Sequence, residues 1–322
     1  MKAAVATEQG LALRDIAQPK PKPNEVLVKV RAAALNRADL AVARGLPHGR
    51  HSGIGATVGL EWAGEVVETG TEVEGYRPGE RVMCSGSGGY AEYAVSDWGR
   101  VNPMPEGMSF EQAATLPVAL ITLHNALVTA GRLRRGERVM IQGASSGVGL
   151  MGLQIAKLMG AELVIGSSTN DARRARLKEF GADLAVDTRD PAWADAVLAA
   201  TGGNGVDLVV DMLSGPVVVQ TMKATAIRGR IVNVGRLAGT KAEFDFDLHA
   251  LRRIDYIGVT FRTRSLEEVR EIARRMRADL WEAVAAGKLT LPIDRRFPLD
   301  EAAAAQAHMR ENKHFGKIVL TM

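Results

Sequence analysis

One segment near the middle of the chain constrains the fold more than any other. Residues 138–142 have the apolar pattern of a buried strand, residues 143–149 (Gly-Ala-Ser-Ser-Gly-Val-Gly) form a turn of small residues, and a helix pattern continues to Met159. A turn of this kind exposes backbone amides at the positive end of a helix dipole, which suits a pyrophosphate group. We therefore predict that five residues of the turn bind a dinucleotide: Ser145, Ser146, Gly147, Val148 and Gly149.

The turn matches the strict dinucleotide fingerprint only in part. Ala144 and Ser146 stand where the first two glycines of the fingerprint would be, and only Gly149 fits. The letters alone are therefore weak evidence, and the strand and helix patterns on either side supply most of the argument.

Two other interpretations of this turn stay open from the residues alone. Residues 143–147 also match the nucleophile elbow of hydrolases, and His249, His308 and His314 follow in the chain, but no glycine-rich oxyanion loop precedes the turn. The small residues could instead serve only the close packing of a helix on a strand. A short-chain dehydrogenase is excluded, because no tyrosine is followed four residues later by a lysine.

Strand and helix patterns divide the chain into two domains. The first third is rich in glycine and short alternating runs, which indicates a β-rich domain. After Leu116, apolar strands alternate with helices, which indicates a doubly wound parallel sheet. The strands predicted for that sheet are residues 138–142, 162–167, 184–187, 208–211 and 230–234, with a further strand at 256–260. The final pieces are too short to form a domain alone. We therefore predict a β-rich domain that begins with residues 1–118, a nucleotide domain at 119–260, and a return segment at 261–322 that completes the first domain.

Composition limits the partners and the location. The chain has 322 residues and a formal net charge of +4. Its arginine-rich stretch, residues 252–277, is interleaved with glutamates at helical spacing, which predicts a solvated helix face and argues against a nucleic-acid partner. Cys84 is the only cysteine, so no internal disulfide forms. No stretch reads as a signal sequence or approaches the length of a membrane span, and we expect a cytoplasmic protein without a membrane partner.

Five ordered motifs give the whole chain a family resemblance. They are Asn-Arg-Ala-Asp-Leu at 36–40, Gly-Leu-Glu-Trp-Ala-Gly at 59–64, Gly-Tyr-Ala-Glu-Tyr at 89–93, the turn at 143–149, and Asn-Lys-His-Phe-Gly-Lys-Ile-Val-Leu at 312–320. Together they resemble the medium-chain dehydrogenase/reductase superfamily, specifically its zinc-independent NADPH:quinone oxidoreductase branch. The resemblance implies an α/β fold class, with a GroES-like β-rich catalytic domain and a Rossmann doubly wound parallel-sheet nucleotide domain. It also implies NADPH as the cofactor and a homodimer that joins sheets edge to edge through residues 256–261.

The resemblance further implies a site without a metal. Asn36 and Leu60 stand at the first two zinc-ligand positions of the superfamily's alcohol dehydrogenases, and zinc needs three or four nitrogen, thiolate or carboxylate donors. Without a Lewis acid, hydride transfer suits a small electrophilic acceptor, either a quinone or another α,β-unsaturated carbonyl compound. The alternatives are an enoyl-thioester reductase and a non-enzymatic NADPH-binding protein of the lens-crystallin kind.

Individual roles follow from the same resemblance. Asn36 and Thr122 match polar positions that line the family's nicotinamide cleft, so they are predicted to orient the reacting groups. Ser168 stands where NAD-preferring relatives have an acidic residue, and Arg173 matches a lysine that holds the 2′-phosphate of NADPH. Further cofactor contacts are predicted at Thr188, Gly235, Arg236 and Lys317.

The chain departs from the branch around the expected acceptor and adenine positions. Ala41 and Pro47 replace two tyrosines, and Thr188 replaces a third on the adenine side. Arg236 stands where some members have a small or amide residue. We therefore expect an acceptor preference that differs from that of the better-known members.

Overall fold

The computed structural model describes residues 1–46 and 53–322, so Pro47 lies outside the described residues. The chain divides into two compact units. The discontinuous unit comprises Met1–Val118 and Phe261–Met322, and the central unit comprises Ala119–Thr260.

Strands and helices are numbered separately in chain order. The strands are β1 (Lys2–Thr7), β2 (Gly10–Asp15), β3 (Glu25–Ala34), β4 (Glu61–Thr69), β5 (Arg81–Ser85), β6 (Tyr93–Asp97), β7 (Val101–Pro103), β8 (Arg138–Ile141), β9 (Leu163–Ser167), β10 (Leu184–Val186), β11 (Val206–Asp211), β12 (Thr225–Asn233), β13 (Asp255–Gly258), β14 (Ile293–Pro298) and β15 (Lys317–Thr321). The α-helices are α1 (Asp39–Val42), α2 (Phe110–Ala114), α3 (Pro117–His124), α4 (Gly147–Leu158), α5 (Asp171–Ala175), α6 (Trp193–Ala200), α7 (Val218–Ala224), α8 (Phe246–Arg252), α9 (Leu266–Ala285) and α10 (Ala302–Arg310). Short 3₁₀ turns lie at Trp98–Arg100, Leu177–Phe180, Gly215–Val217 and Leu299–Glu301, and a π-helical turn covers Asn125–Ala130.

The discontinuous unit is built on a mostly antiparallel sheet. Its strands lie in the order β14-β15-β3-β4-β5-β7, and β6 also pairs with β3. Because β15 pairs with β3, the C-terminal strands complete the sheet that the N-terminal segment begins. Val26, Val28 and Val30 of β3 are buried in a core that also contains Trp62 and Tyr90. Buried and exposed positions alternate only from Val28 to Ala32, whereas Leu27 and residues 32–34 are buried as well, so both faces of β3 are covered over most of its length.

The central unit contains a parallel sheet whose strands lie in the order β10-β9-β8-β11-β12-β13. Every neighbouring pair in this order is parallel. The prediction of a doubly wound parallel sheet is confirmed. The strand order changes direction between β8 and β11, since β9 and β10 lie on one side of β8 and the later strands lie on the other. Ligands of such sheets bind outside the carboxyl ends of the strands at that point. The fold therefore places the turn that follows β8 where a dinucleotide is expected.

Two expectations from the sequence are wrong. The first is that no stretch approaches the length of a membrane span. Residues 110–130 form a helical stretch that is long and apolar enough by length and composition, although 72% of its most apolar window is buried in the protein, as in a core helix. Residues 252–277 are not one solvated helix face, because they include the end of α8, all of β13 and the first part of α9. Within that stretch Arg270 forms an ion pair with Asp97, whose side chain is 7% exposed.

β13 is an edge strand of the parallel sheet, at the side opposite β10. In the part of the chain that the structure describes, β13 pairs with β12 alone. Phe246 and Leu251 of α8 are 77% and 69% exposed. An apolar surface and an open strand edge are the features that an edge-to-edge homodimer needs, and the homodimer stays a prediction.

Candidate dinucleotide site and buried polar cluster

The turn between β8 and α4 is held tight by glycine and serine. A Cβ atom on Gly149 would lie 2.6 Å from the Cα atom of Ala144, so this position accepts no side chain without displacing the backbone. Gly143 has a φ of +67°, which favours glycine. The Ser146 hydroxyl accepts a hydrogen bond from the Gly149 N–H at 3.1 Å and donates one to the Gly143 carbonyl at 3.0 Å. Ser146 is therefore the N-cap of α4, and α4 begins directly against the strand.

The same geometry leaves backbone donors open. Among the residues that the structure describes, no acceptor is bonded to the peptide N–H groups of Ser145, Gly147 or Val148. These groups lie in the turn and in the first turn of a twelve-residue helix, where the helix dipole favours an anion. The three open amides fit a phosphate group.

The hydroxyl of Ser145 faces another hydroxyl. Ser168, the residue after β9, donates a hydrogen bond from its Oγ atom to the Oγ atom of Ser145 at 3.0 Å. A serine nucleophile needs a neighbouring base to take its proton, and a serine hydroxyl is not a base. This contact therefore does not favour the nucleophile-elbow interpretation.

The predicted 2′-phosphate residues follow two adjacent strands. Ser168 is 6% exposed and brings no charge to the end of β9. Arg173 lies in α5 and is partly exposed, and Thr188 follows β10 by two residues and is also partly exposed. Ser145 and Ser168 are thus hydrogen-bonded to each other. Arg173 and Thr188 lie on the segments that follow β9 and β10, respectively. Their contacts with a cofactor stay predictions.

Polar residues missed from the sequence lie at the ends of β11 and β12. Asp211, at the end of β11, accepts hydrogen bonds from the Leu213 and Ser214 N–H groups at 2.8 Å each. Asn233, at the end of β12, donates to the Ser214 hydroxyl, which donates in turn to the Gly235 carbonyl. Their position at the carboxyl ends of parallel strands was a usable signal in the sequence.

Two predicted cofactor residues lie beside this group. A Cβ atom on Gly235 would lie 2.6 Å from the Met212 carbonyl oxygen, so the backbone there requires glycine. Arg236 is exposed and donates to the Val234 carbonyl at 3.2 Å, which folds its side chain back on its own backbone.

The discontinuous unit contains a separate, buried polar cluster. The Lys317 ammonium donates to Glu61, to the Asn36 side-chain oxygen at 3.0 Å, and to the Leu35 carbonyl at 3.2 Å. The Asn36 amide donates to the same Glu61 carboxylate at 2.9 Å, and the second oxygen of that carboxylate accepts from the Val118 N–H at 2.8 Å. All three ammonium hydrogens are therefore directed at protein oxygens. A cofactor contact through the Lys317 ammonium would require one of these bonds to be given up.

Asp39 and Tyr90 extend the cluster; both belong to motifs noted in the sequence, at 36–40 and 89–93, but no role was predicted for either. The same Asp39 oxygen accepts from the Tyr90 hydroxyl at 2.7 Å and from the Asn36 N–H at 2.8 Å. Burial raises the pKa of Asp39 to about 7, against the lowering effects of the Tyr90 and Asn36 hydrogen bonds and of Lys317. Burial and the neighbouring Asp39 raise the pKa of Tyr90. Asn36 is thus fixed through both its side chain and its peptide group.

The other residues weighed from the sequence lie outside this cluster. Thr122 is on α3 in the central unit and is partly exposed, whereas Asn36 belongs to the discontinuous unit. Cys84 is fully buried, and burial raises the pKa of its thiol, as expected for a small core residue.

The donor set of the cluster does not suit zinc. Leu60 offers no donor atom, and the Glu61 carboxylate is already bonded to the Lys317 ammonium, to Asn36 and to a peptide N–H. Within residues 1–46 and 53–322, no group of three or more His, Cys, Asp or Glu side chains is placed to hold a metal ion. A zinc-free site stays a prediction.

Family models match both units. The model described as "Alcohol dehydrogenase GroES-like domain" matches residues 22–106, and the model described as "Zinc-binding dehydrogenase" matches residues 147–278. The predicted combination of a GroES-like domain and a Rossmann-type nucleotide domain is confirmed.

Relatives of different overall size match nearly the whole chain. A phenolphthiocerol/phthiocerol polyketide synthase of Mycobacterium tuberculosis is 33% identical over 97% of this chain, but this chain spans only 14% of the length of that protein. Quinone oxidoreductase of Rattus norvegicus is 30% identical over 96% of this chain and 92% of its own length.

Solved structures give the same fold. The CurK enoyl reductase has a TM-score of 0.86 at 26% identity, with 100% of this chain and 99% of that chain covered. A mycobacterial protein complexed with NADPH has a TM-score of 0.88 at 26% identity, with all of both chains covered.

The raised pKa of Asp39 predicts how stability changes with pH. In the folded protein burial raises the pKa of Asp39 to about 7, whereas in the unfolded chain the carboxyl has its ordinary pKa of 3.8. The stabilisation is therefore complete below pH 3.8 and is lost as the pH rises through 7, an effect of up to about 4 kcal/mol. Asp39→Asn keeps an acceptor for both hydrogen bonds but cannot ionise, so its stability relative to the wild type should increase from pH 5 to pH 8. Urea unfolding at both pH values measures this, with the exposed Asp15→Asn as the control. Equal pH dependence in wild type and Asp39→Asn would contradict the assignment.

Proposed function

Because this chain belongs to the medium-chain dehydrogenase/reductase superfamily, we propose that it is a zinc-independent, NADPH-dependent oxidoreductase that reduces a quinone or another α,β-unsaturated carbonyl compound. The observation that carries the proposal is the set of open amides at Ser145, Gly147 and Val148, in the turn beyond the carboxyl end of β8. In a sheet of this strand order, such donors suit the pyrophosphate of a dinucleotide.

The preference for NADPH rests on the charges at the end of β9. A carboxylate there would bind both ribose hydroxyls of NADH and repel a 2′-phosphate. Ser168 occupies this place without a charge, and α5, which begins three residues later, includes Arg173 and Arg174. A guanidinium can hold a phosphate through two parallel hydrogen bonds.

When bound, NADPH would supply a hydride from its nicotinamide ring. Hydride addition to a conjugated carbonyl compound places negative charge on the carbonyl oxygen, and hydrogen-bond donors or water can stabilise that charge without a metal. We assign Asn36 to orienting the reacting groups. Its amide is bonded to Glu61 at the nitrogen and to Lys317 at the oxygen, so it is held in one orientation before any ligand binds.

A quinone is the acceptor we favour, since the rat quinone oxidoreductase matches over 92% of its own length. An enoyl thioester is the second candidate, supported by the fold shared with the CurK enoyl reductase. A non-enzymatic NADPH-binding role is the third candidate. Direct hydride transfer requires no acid or base side chain, so the residues of the site do not by themselves distinguish an enzyme from a binding protein.

An acceptor panel tests these functions. The purified protein should oxidise NADPH with 1,4-benzoquinone and with naphthoquinones faster than with an enone or an enoyl-coenzyme A ester, in stopped-flow measurements of NADPH absorbance. It should give a negligible rate with simple alcohols and NADP⁺, because Asn36 and Leu60 stand where ligands of an alcohol-activating zinc would be. Metal analysis of the same preparation should find no stoichiometric zinc.

Other outcomes of the panel would reassign the function. A faster reaction with the enoyl ester favours the second candidate, and NADPH binding without turnover of any acceptor favours the third. One tightly bound zinc per chain, with activity lost on chelation, would contradict the proposal. An esterase activity lost in Ser145→Ala would restore the hydrolase interpretation.

Arg173→Ala tests the cofactor preference. The variant should raise the KM for NADPH roughly tenfold or more, a loss of about 1.5–3 kcal/mol, and leave the KM for NADH almost unchanged, because only NADPH has the 2′-phosphate. Arg176→Ala removes an equal charge from a residue that pairs with Glu179, and it serves as the control. Equal effects of Arg173→Ala on both cofactors, or a wild-type preference for NADH, would show that the phosphate site is elsewhere.

A further inference from the structure

A carboxylate lies beside the position that distinguishes the two dinucleotides. The register of the parallel strands β9 and β10 pairs Ser167 with Val186, and the Ser168 N–H donates to the Val186 carbonyl at 3.0 Å. Asp187 therefore follows β10 as Ser168 follows β9, and the two residues are neighbours at the same edge of the sheet. The end of β9 therefore has no acidic residue, but the end of the neighbouring strand β10 has one, Asp187.

Two arginines, Arg174 and Arg189, neutralise the charge of the Asp187 carboxylate. Arg174 donates to Asp187 at 3.2 Å and to the Ser168 carbonyl at 3.0 Å, and its other terminal nitrogen donates to Asp171 at 2.9 Å. Arg189 donates to Asp187 through two nitrogens, at 2.7 and 3.1 Å. The hydrogen bonds from Arg189 lower the pKa of Asp187 to about 2, so its carboxylate is ionised at neutral pH. The two arginines and two aspartates together have no net charge.

We propose that Asp187 is a specificity-determining residue that weakens the binding of a 2′-phosphate by holding Arg174 and Arg189 in ion pairs. This inference rests on the proposed function, since it concerns the cofactor site described above. A phosphate monoester has a charge between about −1.5 and −2 near pH 7, and to bind beside Ser168 it must compete with Asp187 for the Arg174 guanidinium. A ribose hydroxyl has no charge and meets no such competition. The Asp187 side chain is only 18% exposed, so solvent screens it incompletely.

Two adenosine nucleotides isolate this effect from catalysis. Adenosine 2′,5′-bisphosphate and adenosine 5′-monophosphate differ only in the 2′-phosphate, and calorimetric titration gives a Kd for each without any turnover. Asp187→Asn should bind the bisphosphate roughly three- to tenfold more tightly than the wild type, the size expected for one partly buried charge nearby. Binding of the monophosphate should stay within about twofold, and the gain should shrink at high salt.

A remote aspartate provides the matched control. Asp207 forms a two-nitrogen ion pair with Arg138, at 2.9 and 3.0 Å, and lies one residue into β11, near the amino ends of the strands. Asp207→Asn removes the same charge and should change neither Kd. Asp187→Ser provides a second variant at the site, so that a folding defect in one of the two does not decide the result.

The outcomes separate this inference from the proposed function. If the wild type does not favour the bisphosphate but Asp187→Asn does, the inference stands and the proposed NADPH preference fails. If the Asp187 variants bind the bisphosphate no better than the wild type, or more weakly, the inference is overturned, because the carboxylate then holds the arginines in place for the phosphate. An equal gain for both nucleotides would also overturn it.

Discussion

The contact between Gly149 and the backbone of Ala144 sets the geometry of the central unit's site. Because no side chain separates them, α4 begins against the end of β8 and its first amides point beyond the strand. The Ser146 hydroxyl uses its own hydrogen bonds to cap α4. Among the described residues, the peptide N–H groups of Ser145, Gly147 and Val148 have no acceptor. A larger residue at Gly149 would displace the turn, and the cradle for a phosphate would be lost with it.

The discontinuous unit contains a buried ion pair between Lys317 and Glu61, in which the cost of desolvation is offset by hydrogen bonds. Removing Lys317 and Glu61 from water is costly, and such a pair is tolerated where every donor and acceptor is satisfied. Here the ammonium has three oxygen acceptors, and both Glu61 oxygens accept hydrogen bonds. Apolar residues of similar volume could fill this space as stably. The specific effect of the pair is that it fixes the Asn36 amide.

Local patterns predict much of the fold, and tertiary pairing explains the rest. The strand predicted at 138–142 is observed as β8 (Arg138–Ile141), because its apolar residues are consecutive and buried. By contrast, β12 begins at Thr225 and not at residue 230, since Arg228, with a φ of 61°, and Gly229 hide the early part of the strand from a pattern search. The turn residues were predictable because they are contiguous. Asp39 and Tyr90 were not, because their shared hydrogen bond joins positions 51 residues apart.

Binding of a dinucleotide pyrophosphate by the turn at residues 143–149 can be tested directly by hydrogen–deuterium exchange. The open amides of this turn have no protein acceptor among the described residues, so they should exchange rapidly in the free protein. Mass spectrometry of peptides covering residues 143–150, with and without saturating NADPH, should show slowed exchange in the complex. If NADPH binds and the exchange of these peptides does not change, the cofactor lies elsewhere and the assignment of the turn is contradicted.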